Sequence, residues 1–235
     1  MNFGIIAAGE GSRLVSEGVA LPKPLVNLNG EPMIGRLLRI FESLGAGRVA
    51  VIVNEQMTEV ADYLRDLAPK LAMPLDLTVK STPSSMHSFY ELTRVMKPGK
   101  FCLTTVDTIF READFARYIS AFEADDTHDG MWAVTPYIED EKPLYVEVDE
   151  ASMRIKAFRD AAFDGAKYVS GGIYAITDKA FPVLDSCISQ GISRMRNFQR
   201  ALVEQGFNLQ AYSIDKIIDV DHASDIAVAQ QFINE

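Results

Sequence analysis

Phe3 to Ala8 is an apolar run that ends at Gly9, the length and punctuation of a short buried strand. After it, "VNLNG" (26–30) predicts a second short strand closed by an Asn29-Gly30 turn. Pro32 suits the first turn of a helix running to about Leu44, and Gly45 stops it. "RVAVIVN" (48–54) is β-branched and apolar nearly throughout, as strands buried on both faces of a parallel sheet are. The pattern then predicts a helix over 58–68, a strand over 75–79, a helix over 85–96 and a strand in "FCLTTVD" that ends at Asp107. Beyond this point "GMWAVTPY", "LYVEVDEA", "RIKAFRD" and "YVSGGIYAIT" read as strands with few helices between them. Helical spacing returns over 178–188 and 193–205, followed by a strand in "LQAYSI" and a last helix over 223–233.

Strands that alternate with helices through the first 107 residues predict an α/β protein with helices on both faces of a mostly parallel sheet. The strand-rich second half predicts an antiparallel extension of that sheet. No Pro/Ser-rich linker, repeat or low-complexity tract divides the chain, so one domain over 1–235 is expected.

Composition narrows the class of function. The 235 residues are 48% hydrophobic and 24% charged, which is ordinary for a globular protein and excludes a disordered one. A formal net charge of −10 disfavours nucleic acid and anionic membranes as partners, so a polyanion would need a local basic patch or a metal. The opening residues lack a basic signal-peptide start and no apolar stretch nears bilayer-spanning length, which places the expected location in the cytoplasm. Cys102 and Cys187 have no CxxC spacing and read as buried free thiols. His87, His128 and His222 share no metal-ligand spacing, and no G-x-S-x-G elbow occurs, which argues against a zinc site and an α/β hydrolase.

Ligands of parallel sheets bind at the carboxyl ends of the strands, and two polar features follow strands directly: the Gly9–Arg13 loop and Asp107. Gly9 and Gly11 let a backbone approach a phosphate, while Ser12 and Arg13 add a hydroxyl and a fixed charge. A dinucleotide fingerprint is incomplete, because Leu14 stands at the third glycine position, and no P-loop occurs. Lys23 lies between Pro22 and Pro24, which restrict the backbone on each side and pre-position its charge.

The segment "AAGEGSRL…LPKPLVNLNGEPMI" resembles the signature of the sugar-phosphate nucleotidylyltransferase superfamily, AAGxGTRL…PKPLxxxxGxPxI, over about thirty residues. The resemblance implies a three-layer, Rossmann-like sheet of the GT-A-like kind, with a nucleotide-binding half at 1–110 and an acceptor-binding half at 111–235. It implies that Ala7, Ala8, Gly9, Gly11 and Ser12 surround a nucleoside triphosphate, with Arg13 and Lys23 as catalytic contacts to its phosphates. Serine at position 12 keeps the hydroxyl of the usual threonine. Asp107 falls at the family's magnesium aspartate, with Val106 in place of the usual glycine; the second metal aspartate is Asp219 or Asp221, depending on which family pattern is aligned. Asp225 fits better as a helix-dipole residue. Ser84 and Ser85 stand where relatives read the base, and they also suit a helix cap. Before "GGIYAIT" relatives carry Glu-Lys-Pro; here Arg159-Asp160-Ala161 stands in that place, so Arg159, Lys156 or Lys167, with Gly172, would form the acceptor site.

The implied reaction is magnesium-dependent transfer of a nucleoside monophosphate from a triphosphate to a phosphorylated small molecule, releasing pyrophosphate. A molybdenum-cofactor-type guanylyltransferase shares the opening motif. A GT-A glycosyltransferase would carry Asp-x-Asp, whereas Thr108 and Ile109 follow Asp107. Val106 and the missing Glu-Lys-Pro also leave room for a catalytically silent nucleotide-binding module. Base, acceptor and oligomeric state stay open at this stage.

Overall fold

The computed structural model describes residues 1–139 and 141–235. The opening apolar run forms β1, Asn2–Ala7. Parallel to it lie β2, Arg48–Val53, on one side and β4, Lys100–Thr105, on the other; β3, Leu75–Val79, extends the sheet beyond β2. The second half supplies β5, Gly130–Thr135, β6, Tyr145–Val148, β7, Ile155–Arg159, β8, Tyr168–Thr177, and β9, Leu209–Ser213. Antiparallel β8 joins them to the parallel half: Ile173–Thr177 pair with β4, and β5 pairs with β8 and, in parallel, with β9. The result is one nine-stranded mixed sheet, mostly parallel in its first half and antiparallel in the extension, as the alternation of elements predicts.

Side-chain alternation along β1 sends Phe3, Ile5 and Ala7 to one face of the sheet and Ile6 and Ala8 to the other. The first face is covered by α2, Met33–Ser43, α3, Thr58–Leu67, and α5, Glu112–Ala124; the second by α4, Ser85–Thr93, α6, Phe181–Ser189, and α7, Met195–Glu204. In α2 the buried Ile34, Leu37, Leu38 and Phe41 follow the i, i+3, i+4, i+7 pattern of a single apolar stripe. A short α1, Ser12–Ser16, and the C-terminal α8, Ala223–Asn234, meet in a third apolar cluster around Leu14, Val26, Val220 and Phe232. Among the described residues no helix is long and apolar enough to cross a membrane.

Helix α5 is absent from the pattern-based expectation, which reads this half as strands. Its apolar positions Phe115, Tyr118, Ile119 and Phe122 nevertheless have helical spacing and are buried. Phe115 stacks on Phe110 at 4.4 Å and faces Phe41, which itself stacks on Phe3 at 4.3 Å. The Tyr118 hydroxyl donates to the Met131 carbonyl at 2.6 Å and accepts from the Ala175 N–H at 2.7 Å, tying α5 to β5 and β8. Truncating Phe115 to alanine is therefore expected to cost about 3–5 kcal/mol of unfolding free energy in a denaturant titration, the usual range for a buried aromatic.

Candidate active site

Because β1, β2, β3 and β4 are parallel, the loops that follow them converge on one edge of the sheet. They bound a cleft of about 570 Å³, lined by Ala8 to Arg13, Lys23, Asn54, Thr82 to Ser85, Ser88 and Thr105 to Asp107. A Cβ at Gly9 would touch no protein atom within 4 Å, so packing gives no reason for glycine there, and the space belongs to the cleft. Gly11 differs: it has φ 62°, and a Cβ would lie 3.0 Å from Lys23 Cβ. The loop and the lysine are in close approach, and only a residue without a side chain allows it.

Lys23 begins a short 3-10 turn, Lys23–Leu25, after Pro22, and is buried. Its ammonium lies 2.5 Å from Asp107 Oδ2 and 2.6 Å from Asp221 Oδ1. Burial works to lower its pKa, but the charges and hydrogen bonds of Asp107 and Asp221 outweigh that and hold it above the usual lysine value. Asp107 is opposed by burial in the same way, and Lys23 holds its carboxyl below the usual range. Arg13 Nη1 reaches Asp221 Oδ2 at 3.0 Å. Asp221 is fixed from behind by Asp225, whose Oδ2 accepts the backbone N–H groups of Asp221 and His222 at 2.9 and 2.7 Å. Asp225 thus has the structural role expected of it, in a capping box with His222.

Asp219 pairs with Thr108 across a two-residue bridge and accepts from Thr108 Oγ1 at 3.2 Å. Its side chain is exposed, yet the surrounding protein and the charges of Asp107 and Asp221 push its carboxyl well above the usual range. Of the two aspartates that the sequence leaves open, Asp221 is the one that meets Asp107 at a shared cation. Two carboxylates already arranged around one positive charge, with oxygen as the only donor type, form a donor set suited to Mg²⁺. Among the described residues no three Asp, Glu, His or Cys side chains converge as ligands, so an ion here would take two carboxylates and draw its other ligands from substrate and water.

The remaining expected residues divide. Ala8, Ser12, Ser84 and Ser85 line the cleft, whereas Ala7 is buried in the core on the opposite face of the sheet, beside Val53. Gly172, with φ 71°, sits at a register shift in β8, and a Cβ there would be 2.6 Å from Thr108 Oγ1. It lines a second hollow of about 440 Å³ that continues past Asp107, Asp219 and Asp221 to Arg194, Arg196 and Gln199. Arg159 and Lys167 line neither of these spaces. Arg159 is paired with Glu147, and Lys167 borders a separate small hollow by Phe163 and Tyr168; Lys156 is bound to Asp149.

The cations near Gly172 are instead Arg194 and Arg196, at the start of α7. Gln199, one turn further on, is 1% exposed with its Oε1 unpaired. Sequence reasoning misses these because nothing in "ISRMRNFQ" marks them as facing Gly172. One signal was readable: the tripeptide Glu-Lys-Pro does occur, as Glu141-Lys142-Pro143, ahead of β6. Glu141 and Pro143 border the space between Arg13 and Ser170, and the Lys142 carbonyl accepts from Arg196 at 3.2 Å.

Comparison with known proteins gives the family and the fold. The 2-aminoethylphosphonate cytidylyltransferase of Lancefieldella rimae is 27% identical over 108 residues, 46% of this chain and 43% of that protein. A probable mannose-1-phosphate guanylyltransferase of Oryza sativa subsp. japonica is 25% identical over 177 residues, 73% of this chain and 48% of its relative. This chain thus spans less than half the length of these curated relatives. Among solved structures, the inositol-1-phosphate CTP transferase of T. maritima superposes with a TM-score of 0.81 at 20% identity, covering 100% of this chain and 96% of that one. A putative glucose-1-phosphate thymidylyltransferase of Bacillus anthracis gives 0.85 at 15% identity, with the same coverage, and shares the fold. The sequence model of the MobA-like NTP transferase domain matches residues 4–180, about three quarters of the chain. The chain belongs to the MobA-like NTP transferase domain family.

Proposed function

We propose that this chain is a single nucleotidylyltransferase domain that moves a nucleoside monophosphate from a triphosphate to a phosphorylated small molecule. In this reading residues 1–110 hold the donor and residues 111–235 shape the acceptor site. The observation that carries it is the clamp of Lys23 between Asp107 and Asp221, at the junction of a glycine-lined cleft and a second hollow with two arginines at its rim.

The backbone of Gly9 to Ser12 would receive the triphosphate, with Arg13 and Lys23 neutralising charge as it moves onto the leaving pyrophosphate. An acceptor phosphate oxygen would bond to the α-phosphorus as the bond to pyrophosphate breaks, and Arg194 would steady that phosphate in line. Mg²⁺ held by Asp107 and Asp221 would supply further neutralisation of phosphate charge. Asn54, Thr82, Ser85 and Ser88, which also line the cleft, would face the base. Sugar 1-phosphates, inositol 1-phosphate and aminoethylphosphonate, substrates named in relatives, are the acceptors to try first.

The test is a pyrophosphate-release screen of four nucleoside triphosphates against those acceptors, with Mg²⁺ and with chelator. Release that requires one acceptor and Mg²⁺ is the expected result. Triphosphate binding without release on any acceptor would replace this reading with a silent nucleotide-binding module. Release confined to GTP with a pterin-type acceptor would favour the molybdenum-cofactor class.

A further inference from the structure

Arg194 holds its guanidinium at the second hollow from an unusual backbone. It takes φ 73° and ψ 138°, a combination that residues with a side chain rarely adopt, immediately before α7. Conformations of this kind persist only where the surroundings impose them. Two contacts do so here. On one side the Arg194 carbonyl accepts from the Asn197 N–H at 3.1 Å, and Asn197 Nδ2 donates to the Ser193 carbonyl at 2.7 Å. On the other side the Arg194 N–H donates to Ser84 Oγ at 3.1 Å, across 110 positions of sequence.

Ser84 is the residue at the start of α4, yet its hydroxyl caps none of that helix's N–H groups. His87 Nδ1, 2.9 Å away, holds the same hydroxyl from its other side. The Arg194 guanidinium itself makes no hydrogen bond or ion pair with the described residues, whereas Arg196 beside it is engaged by Asp160 and the Lys142 carbonyl. An uncommitted charge on a strained backbone, fixed by a hydroxyl from the donor-side loop, is arranged for a ligand and not for stability.

We propose that Ser84 is a positioning residue for the acceptor: its hydroxyl fixes Arg194 so that the guanidinium faces the acceptor phosphate. This rests on the nucleotidylyltransferase reading above, and it moves Ser84 from reading the base to linking the two substrate sites. Ser84→Ala is expected to raise the acceptor KM about tenfold while the triphosphate KM stays within about twofold, and Ser84→Thr, which keeps a hydroxyl, should restore the acceptor KM. In the same variants, hydrogen exchange at the Arg194 amide should quicken about tenfold in Ser84→Ala and return towards wild type in Ser84→Thr.

A changed base preference or triphosphate KM with an unaltered acceptor KM would overturn the proposal and make Ser84 a base contact. Unaltered exchange at Arg194 would overturn it as well, because the latch would then carry no restraint. A wild-type protein that turns over no acceptor would defeat the functional reading. The latch would then be judged by exchange and by calorimetry with inorganic phosphate, whose affinity Ser84→Ala should weaken; unchanged affinity would sink it on its own terms.

Discussion

Lys23→Ala is expected to lower turnover by about 10²-fold or more, the size of effect seen when a preorganised charge donor is removed from a transition state. The lysine is placed for it: Pro22 and Pro24 flank it, Gly11 closes against its Cβ, and its ammonium lies within 2.6 Å of both carboxylates. Lys23→Arg should be little better, since a planar fork cannot fill the space of a compact ammonium held between two oxygens. Pyrophosphate release under saturating triphosphate measures the effect, and a rate equal to wild type would remove Lys23 from the chemistry.

The same substitution has a stability signature with a defined pH dependence. Asp107 is held below its ordinary pKa by Lys23, so its share of the stability is present above about pH 4 and fades as pH falls through the folded-state value. Lys23 is held above its ordinary value, so its share is present below about pH 10 and fades as pH rises through the folded-state value. The gap in Tm between wild type and Lys23→Ala should therefore be wide between these limits and narrow on either side. Adding Mg²⁺ should raise the Tm of the variant more than that of wild type, because its two carboxylates lack their counter-charge.

What the sequence disclosed of this site is what lies close together along the chain. The strand, the glycines and Lys23 fall within the first 25 residues, so spacing alone conveys their relation, and β2, β3 and α2 are likewise local patterns. Asp221 is a different case. Alignment leaves it tied with Asp219, two positions away on an extended segment, and the choice is made by the ammonium of Lys23, 198 positions away in sequence, which Asp221 shares with Asp107. Arg194 is less legible still, because its place depends on a backbone conformation and on Ser84, neither of which is written in "GISRMR". The choice of Arg159 rests on sequence proximity to "GGIY", but β7 pairs with β6, and there the side chain meets Glu147. Helix α5 was legible in principle, since Phe115, Tyr118, Ile119 and Phe122 have the period; the strands that follow it mask the signal.

The clearest discrimination between the carboxylates comes from Asp107→Asn, Asp221→Asn and Asp219→Asn measured side by side. Asp107→Asn keeps the shape of the side chain and removes one of the two charges that face Lys23, so the fold should persist by circular dichroism. Its Mg²⁺-dependent turnover is expected to fall ~10²–10³-fold. Asp221→Asn should approach the same loss, and the double variant should be little worse than either single one, because groups that hold one ion act as a unit and their effects do not add. Asp219→Asn is expected to behave differently. Its surroundings and the charges of Asp107 and Asp221 raise this carboxyl above the usual range, and it forms no ion pair with Lys23 or Arg13, so an amide in its place leaves the clamp intact. Its substitution should leave turnover within about tenfold of wild type, and relief of its repulsion with Asp107 and Asp221 should raise the Tm measured without Mg²⁺. If Asp219→Asn proved the most damaging of the three, the pairing of Asp107 with Asp221 would have to be abandoned for one with Asp219. Mg²⁺ titrations of each variant would show which exchange it was, since only the loss of a true ligand moves the half-saturating concentration upward.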